Sequence, residues 1–376
     1  MSSMVDAGIA APGSIGELVS ICKEACDSIA PMVRTFYHAI NGETAKLKAD
    51  KSVFTIADGI VQHLLVEHLL AGGKLKGIVG EEDAKVNITT RPYTVDDLTV
   101  PDDFCDIVDE TRTKVAALAA RIHATAYKTN TAFIDPIDGT REFATGLGEQ
   151  CTILVGFSND AGKCCGGMIY RPIPDIPVWA VGCKAEGFRA SNIELQPQDG
   201  TKKLVTTNGS ISKFVEGMLA AGMERVKSGG AGNKVLWVLE GHGTAYISDR
   251  GVSRWDTCGP EGVIDAFGGC LFKLNSVTPD PDAFLAAGTT GETYTYLRTD
   301  KNLDFVPGQA SLTPYNVSTG VAFTKGDKKK ADEVTQVKAY ANTAGLVALS
   351  ASELVKLPEY VGIIKAALAA APPSFD

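Results

Sequence analysis

The chain has 376 residues, a net charge of −9 and an isoelectric point near 5.2, with 44% hydrophobic and 22% charged residues. That size and mix suit a globular protein of two lobes around a large core. The acidic balance argues against partners such as nucleic acid polymers or anionic membranes, and no apolar run reaches the length of a membrane span.

The opening Met1-Ser2-Ser3-Met4-Val5-Asp6 lacks the basic and apolar regions of a secretory leader, and the 9 cysteines form no C-x-x-C pair. Both features point to a reduced, cytoplasmic protein. Ser14-Ile15-Gly16-Glu17 has capping-box spacing and opens an amphipathic helix through about residue 40, which Pro31 should kink or divide. A second helix is expected over about 59–70, with Asp58 as its cap, whereas Asp50 has no such structural role. His63 and His68, five apart, should not share a helix face. Residues 74–79 read as a short strand that delivers Gly80-Glu81-Glu82-Asp83, where adjacent acids repel unless solvated or holding a cation. Residues 87–103 read as a loop and 108–124 as a helix.

Next comes Phe133-Ile134-Asp135-Pro136-Ile137-Asp138-Gly139-Thr140-Arg141-Glu142-Phe143. An apolar strand ends at Ile134, Asp135-Pro136 stops it, and Gly139-Thr140 open a turn into a short helix. Carboxylates at such a strand end can hold divalent cations, and the exposed N–H groups of Gly139 and Thr140 can receive a phosphate oxygen. A merely capped turn would read the same way in isolation. Strands over 151–158, 164–171, 177–181 and 187–190 then suggest an antiparallel meander, with a polar link at 196–203 as the lobe boundary. Beyond it strands at 203–207, 225–227 and 244–247 alternate with helices near 211–221 and 233–240, as in an α/β lobe.

Gly229-Gly230-Ala231-Gly232-Asn233-Lys234 is a Gly-rich turn into a helix without P-loop spacing, although a lysine entering a helix there could reach an anion. In Arg254-Trp255-Asp256-Thr257-Cys258-Gly259-Pro260-Glu261, Asp256 precedes an apolar helix, and Pro260 lies near that helix's start.

Gly-Glu-Glu at 80–82, Asp-Pro-Ile-Asp-Gly-Thr at 135–140, Trp-Asp-x-x-Gly-Pro-Glu at 255–261 and Asp-Lys-Ser-Val at 50–53 occur in one order. Together they resemble the magnesium-dependent, lithium-sensitive phosphatase superfamily that includes inositol monophosphatase and fructose-1,6-bisphosphatase. Within it the chain looks most like the 3'(2'),5'-bisphosphate nucleotidases, then the inositol polyphosphate 1-phosphatases. Residues 206–212 lack the histidine that often follows Thr-Thr in the nucleotidases.

The resemblance implies an α/β protein with layered αβαβα architecture. Residues 1–200 would supply an antiparallel sheet and most metal ligands, and residues 201–376 an α/β lobe with substrate groups. It implies two or three Mg2+ ions, held by Glu81, Asp135, the carbonyl of Ile137, Asp138 and Asp256, with Asp50 and Thr140 activating water. Gly139, Thr140, Ser210, Lys234 and Arg250 would meet the substrate, with Arg254 a weaker candidate. It implies removal of one phosphate from adenosine 3',5'-bisphosphate, or from inositol 1,4-bisphosphate, by a monomer whose partner is a small phosphorylated metabolite.

Overall fold

The computed structural model describes residues 10–41, 51–82, 84–123, 125–197, 199–250, 252–297, 341–342 and 344–375. Asp50 and the basic run Lys328-Lys329-Lys330 lie outside the described residues.

Helix α1 (Ile15–Asn41) is set by its cap: Ser14 Oγ accepts the Glu17 amide at 3.1 Å, and the Glu186 carboxylate accepts the Ile15 and Gly16 amides, both at 2.8 Å. Pro31 does not divide the helix, which runs on through it. That residue sits on the exposed side, so one helix bond is lost while Ile29, Ala30, Met32 and Val33 stay buried around it. Helix α2 (Lys51–His63) starts earlier than expected, so Asp58 is interior rather than a cap. A π-helical turn over Leu64–Leu70 extends it. Its i→i+5 pattern brings residues five apart together, and the rings of His63 and His68 meet edge-on at 5.3 Å, correcting the expectation from α-helical spacing.

Strand β1 (Gly77–Gly80) leads to β2 (Val86–Asn87), β3 (Thr94–Val95) and β4 (Leu98–Thr99). These last three pair in a small sheet where a loop was expected, because two-residue strands carry no readable alternation. Helix α3 (Asp102–Ala119), β5 (Thr131–Asp138), α4 (Thr140–Ala144), β6 (Thr152–Ser158), β7 (Cys164–Arg171), β8 (Val178–Cys183) and β9 (Phe188–Ser191) follow. β1 pairs parallel with β5, and β5 through β9 form an antiparallel meander, giving a 6-stranded sheet in the order β1-β5-β6-β7-β8-β9.

The chain continues as β10 (Lys203–Thr206), α5 (Lys213–Ala220), β11 (Glu224–Lys227), α6 (Ala231–Glu240), β12 (Ala245–Ser248), β13 (Val252–Ser253), α7 (Arg254–Ala266), β14 (Cys270–Phe272) and α8 (Pro281–Ala287). Then come β15 (Ala341–Asn342), β16 (Leu346–Leu349), α9 (Ala351–Leu354) and α10 (Leu357–Ala370). A 5-stranded sheet has the order β11-β10-β12-β16-β14, parallel across β11, β10 and β12 and antiparallel beyond.

Alternating side chains divide the core into layers. Ala132, Ile134, Ile153 and Val155 pack against α1, α2 and α3, whereas Phe133 and Leu154 face α6 and α7. On the second sheet, Val205, Tyr246, Leu346 and Ala348 face that same middle layer, while Leu204, Ile247, Val347 and Leu349 pack against α5, α8 and α10. The order is therefore helix, sheet, helix, sheet, helix, the expected αβαβα arrangement.

α7 lies unusually close to the 6-stranded sheet because glycines occupy both surfaces. A Cβ on Gly167 would stand 2.2 Å from Gly259 O, and one on Gly262 would stand 2.4 Å from Gly166 C. Overpacking backbone against backbone leaves nothing flexible to yield. Gly167→Ala is expected to cost about 3 kcal/mol in denaturant unfolding. Gly362→Ala, whose Cβ meets nothing within 4 Å on α10, should stabilise by about 0.5–1 kcal/mol. Equal midpoints for the two variants would refute this account of the helix–sheet contact.

Candidate metal centre

β5 carries the first two acids. Asp135 pairs with Leu154 and Asp138 with Thr152, so β5 spends one residue more than β6 over this interval, a β-bulge. Pro136, which has no N–H to offer a ladder, suits such a position. Instead of stopping at Asp135-Pro136, as expected, the strand continues through the bulge to Asp138. Without the extra residue, positions three apart would point to opposite faces. With it, Ile134 and Ile137 both enter the outer helical layer, and Asp138 joins Asp135 on the face toward α6 and α7. Gly139, at φ 97°, then turns the chain into α4 with a backbone that favours glycine. Its following residue Thr140 is exposed, and the first N–H groups of so short a helix have no partner within it.

Asp138 is buried and fully engaged. Its Oδ1 accepts the Ala231 amide at 2.9 Å, and its Oδ2 accepts the Gly232 amide at 2.7 Å and the Thr152 hydroxyl at 2.9 Å. The Gly-rich turn at 229–234 thus already holds an anion, the Asp138 carboxylate. Lys234 is buried at the start of α6, where its Nζ donates to Gly230 O at 2.9 Å and stands 5.2 Å from the Tyr246 ring centre.

Asp256 reaches the cluster from the other half of the chain. It lies inside the first turn of α7 rather than before it, and its Oδ2 accepts the Ser253 amide at 2.5 Å. Pro260 and Glu261 are accordingly mid-helix residues, and Glu261 accepts the Tyr296 hydroxyl at 2.5 Å. Ligand atoms of Asp135, Asp138 and Asp256 lie within 4.8 Å of one another. Asp135 is 1% exposed, and its Oδ1 has no hydrogen-bond partner among the described residues. A buried acceptor without a donor, ringed by like charges, fits a hard divalent cation.

Glu81 follows β1, its amide donating to Ile134 O at 3.1 Å. Gln62 of α2 grips the next residue in both directions, with Glu82 N donating to its Oε1 at 3.0 Å and its Nε2 donating to Glu82 O at 2.5 Å. Gly80 permits this grip, since a Cβ there would stand 2.2 Å from Gln62 Oε1. Desolvation and the Asp256 charge push the Glu81 carboxyl up to about 7. Much of the residue surface remains exposed, so the shift reflects protein crowded around the carboxylate rather than full enclosure. Burial, then Glu81, Asp138, Asp256 and Asp58, push Asp135 well above the ordinary range.

Asp58 was read from the sequence as a helix cap, but the structure buries it beside the acids. It is 2% exposed on α2, its carboxyl is raised well above normal by burial and then by Glu82 and Glu81, and its Oδ1 is unpartnered among the described residues. The available signal was an acid embedded among Ile56, Ala57, Ile60 and Val61, an expensive place for a carboxylate without a task.

Of the remaining candidates, Ser210 is exposed in the loop after β10, and Arg250 follows β12 with its amide donating to Ser248 Oγ at 3.2 Å. Arg254 is fully buried and donates from Nε to Thr295 O at 2.5 Å, which removes it from a substrate-facing surface. Two side chains not singled out from the sequence join the loops: Asn208 Nδ2 donates to Glu142 Oε1 at 2.9 Å and Gln150 Oε1 at 2.7 Å, and the Gly229 amide donates to Gln150 Oε1 at 2.6 Å. Residues so scattered in sequence carry no local pattern. Among the described residues, no helix is long and apolar enough to cross a membrane.

A family model described as the inositol monophosphatase family matches residues 16–300. A protein from Rattus norvegicus named 3'(2'),5'-bisphosphate nucleotidase 1 is 34% identical over 153 residues, 38% of this chain and 49% of its own length. One of the same name from Dictyostelium discoideum is 26% identical over 279 residues, 69% of this chain and 85% of its own. The chain spans about half the length of the first curated relatives it matches. The solved structure of an inositol monophosphatase from Zymomonas mobilis aligns at a TM-score of 0.51 and 16% identity, covering 94% of this chain and 99% of that one. At that identity the likeness shows the fold alone.

The electrostatics predict an inverted pH response for chelator-treated protein. Acids whose pKa is raised on folding contribute stability in full below the unfolded value, 4.5 for a glutamate, and lose it as pH rises through the folded value, about 7 for Glu81. Melting temperature in EDTA should fall between about pH 5 and about pH 8, and divalent cation should restore it. Under those conditions Asp135→Asn should raise the melting temperature by relieving repulsion. Asp138→Asn should lower stability by about 1–3 kcal/mol, because an amide cannot accept from three donors on two sides. A flat profile in EDTA, with both variants unfolding like the wild type, would contradict this picture.

Proposed function

We propose that this chain, which belongs to the inositol monophosphatase family, is a magnesium-dependent phosphomonoesterase acting on a small metabolite with two phosphates. Adenosine 3',5'-bisphosphate, yielding AMP and phosphate, is the favoured substrate. The observation that carries the reading is the convergence of Asp135, Asp138 and Asp256 within 4.8 Å beside the turn at Gly139 and Thr140. The nucleotide is supported by relatives named 3'(2'),5'-bisphosphate nucleotidase.

Glu81, Asp135, Asp138, Asp256 and the Ile137 carbonyl would hold the cations, hard oxygen donors of the kind Mg2+ prefers. Bound divalent cations would supply a more acidic water and neutralise charge on the departing oxygen. The chain's own groups do the rest. The N–H groups of Gly139 and Thr140 receive phosphoryl oxygens, a fixed dipole that need not reorganise as charge develops. Thr140 Oγ orients the attacking water. Among the described residues Asp58, a buried acid with raised affinity for a proton and a charge felt at Asp135, would draw the proton from that water, a task the resemblance gives to Asp50. Asp138 holds the N-terminus of α6 in register with the cluster, so binding and positioning share one side chain.

Phosphate release should require Mg2+ and cease in EDTA. Asp58→Asn should lower kcat by about 100-fold or more while cation affinity, read by titration calorimetry, changes little. Undiminished turnover in that variant would remove Asp58 from the mechanism. For substrate, kcat/KM is compared on adenosine 3',5'-bisphosphate and inositol 1,4-bisphosphate in one buffer. A preference of about tenfold for the inositol compound, about 1.4 kcal/mol in transition-state stabilisation, would overturn the nucleotide reading.

A further inference from the structure

We infer that Arg141 binds the substrate phosphate that does not react and so sets the preference for a bisphosphate over a monophosphate. The inference rests on the reading above of a substrate with two phosphates. Such a phosphate needs a cation that is near the reacting centre, reachable from solvent and not already committed to the protein. The cations around the site differ on these points. Lys234 is buried, with its Nζ bonded to Gly230 O. Arg225 is spent on the loop after β10, donating to Thr206 Oγ1 at 2.9 Å, Thr207 O at 2.9 Å and Gly209 O at 2.7 Å. Arg254 is buried with its Nε on Thr295 O.

Arg141 meets all three requirements. It directly follows Thr140, is exposed, and its guanidinium has no hydrogen-bond or ion-pair partner among the described residues. Its Nη1 would lie 3.3 Å from a Cβ on Gly209, so the missing side chain at Gly209 leaves this guanidinium its room. The opposite wall is rigid: Arg225 fixes the backbone at 207 and 209, and Asn208 is tied to Glu142 and Gln150. Gln150 in turn holds the Gly229 amide, linking this wall to the turn that carries Asp138's partners. The result is one uncommitted fork beside a fixed loop with exposed Ser210, adjacent to the proposed phosphoryl site. A guanidinium presents paired N–H donors that match phosphate oxygens, which a lysine cannot reproduce.

The test measures kcat/KM for Arg141→Ala and Arg141→Lys on adenosine 3',5'-bisphosphate and on adenosine 3'-monophosphate, in the same magnesium buffer. In the wild type the bisphosphate should be preferred. In Arg141→Ala the ratio of the two constants should fall at least tenfold, through a rise in KM for the bisphosphate, and Arg141→Lys should recover part of that ratio. A wild-type preference that survives in Arg141→Ala overturns the assignment of Arg141 alone. Equal losses on both substrates also overturn it, because they would mark a positioning effect on Thr140. A wild type without the preference overturns the two-phosphate reading itself, and the inference with it.

Discussion

The contact between α7 and the 6-stranded sheet governs the site. Helices ordinarily pack on sheets through side chains, but here Gly156, Gly167 and Gly182 of the sheet face α7, and a Cβ on Gly156, Gly167, Gly259 or Gly262 would strike backbone. The close approach places the first turn of α7, with Asp256, against the bulged end of β5. A helix from the second half of the chain is thereby embedded in the chemistry of the first. Packing density leaves no slack in such a contact, so the acid cluster inherits the precision of the core beneath it.

What that precision holds together is electrostatically unfavourable. Burial, and then the charges of neighbouring acids, raise the proton affinity of Asp58, Glu81 and Asp135, with Asp138 and Asp256 among the charges felt at Glu81 and Asp135. Three of these segments are nevertheless tied to their surroundings. Asp138 takes two amides of α6, Asp256 takes the Ser253 amide, and Gln62 fixes the segment after Glu81. The fold thus spends stability from its apolar layers to hold carboxylates at a separation that protons or cations relieve. Asp138 is the clearest instance, a residue whose helix-capping bonds and whose place among the acids cannot be separated by substitution.

The outer helical layer adds a second constraint. α2 supplies Asp58 and Gln62 one turn apart, then widens into the π-helical turn at Leu64–Leu70, which sets His63 edge-on to His68. Lys74 closes that turn by donating to Leu69 O at 3.1 Å and to Ala119 O at 2.8 Å, joining it to the end of α3. A helix end anchored in this way keeps the face bearing Asp58 toward β5.

Much of the architecture was legible in the chain itself. Apolar runs bounded by turn residues marked many strands of both sheets, because burial on both faces of a strand leaves a continuous apolar trace. Glu81, Asp135, Asp138 and Asp256 were singled out because their motifs resemble those of a known family, and the structure brings the last three together. The burial of Asp58, the bonds of Asp138 to α6 and the burial of Arg254 were not legible. A capping residue, a buried acid and a cation-binding acid present the same letters, and only the neighbour brought up by the fold distinguishes them. For Asp138 that neighbour is α6, more than ninety residues away, with |i−j| of 93 and 94 to the amides it accepts. The bulge in β5, the π-turn under His68 and the glycine contact beneath α7 were likewise decided by tertiary packing, since each depends on atoms from segments whose spacing along the chain says nothing about their distance in space.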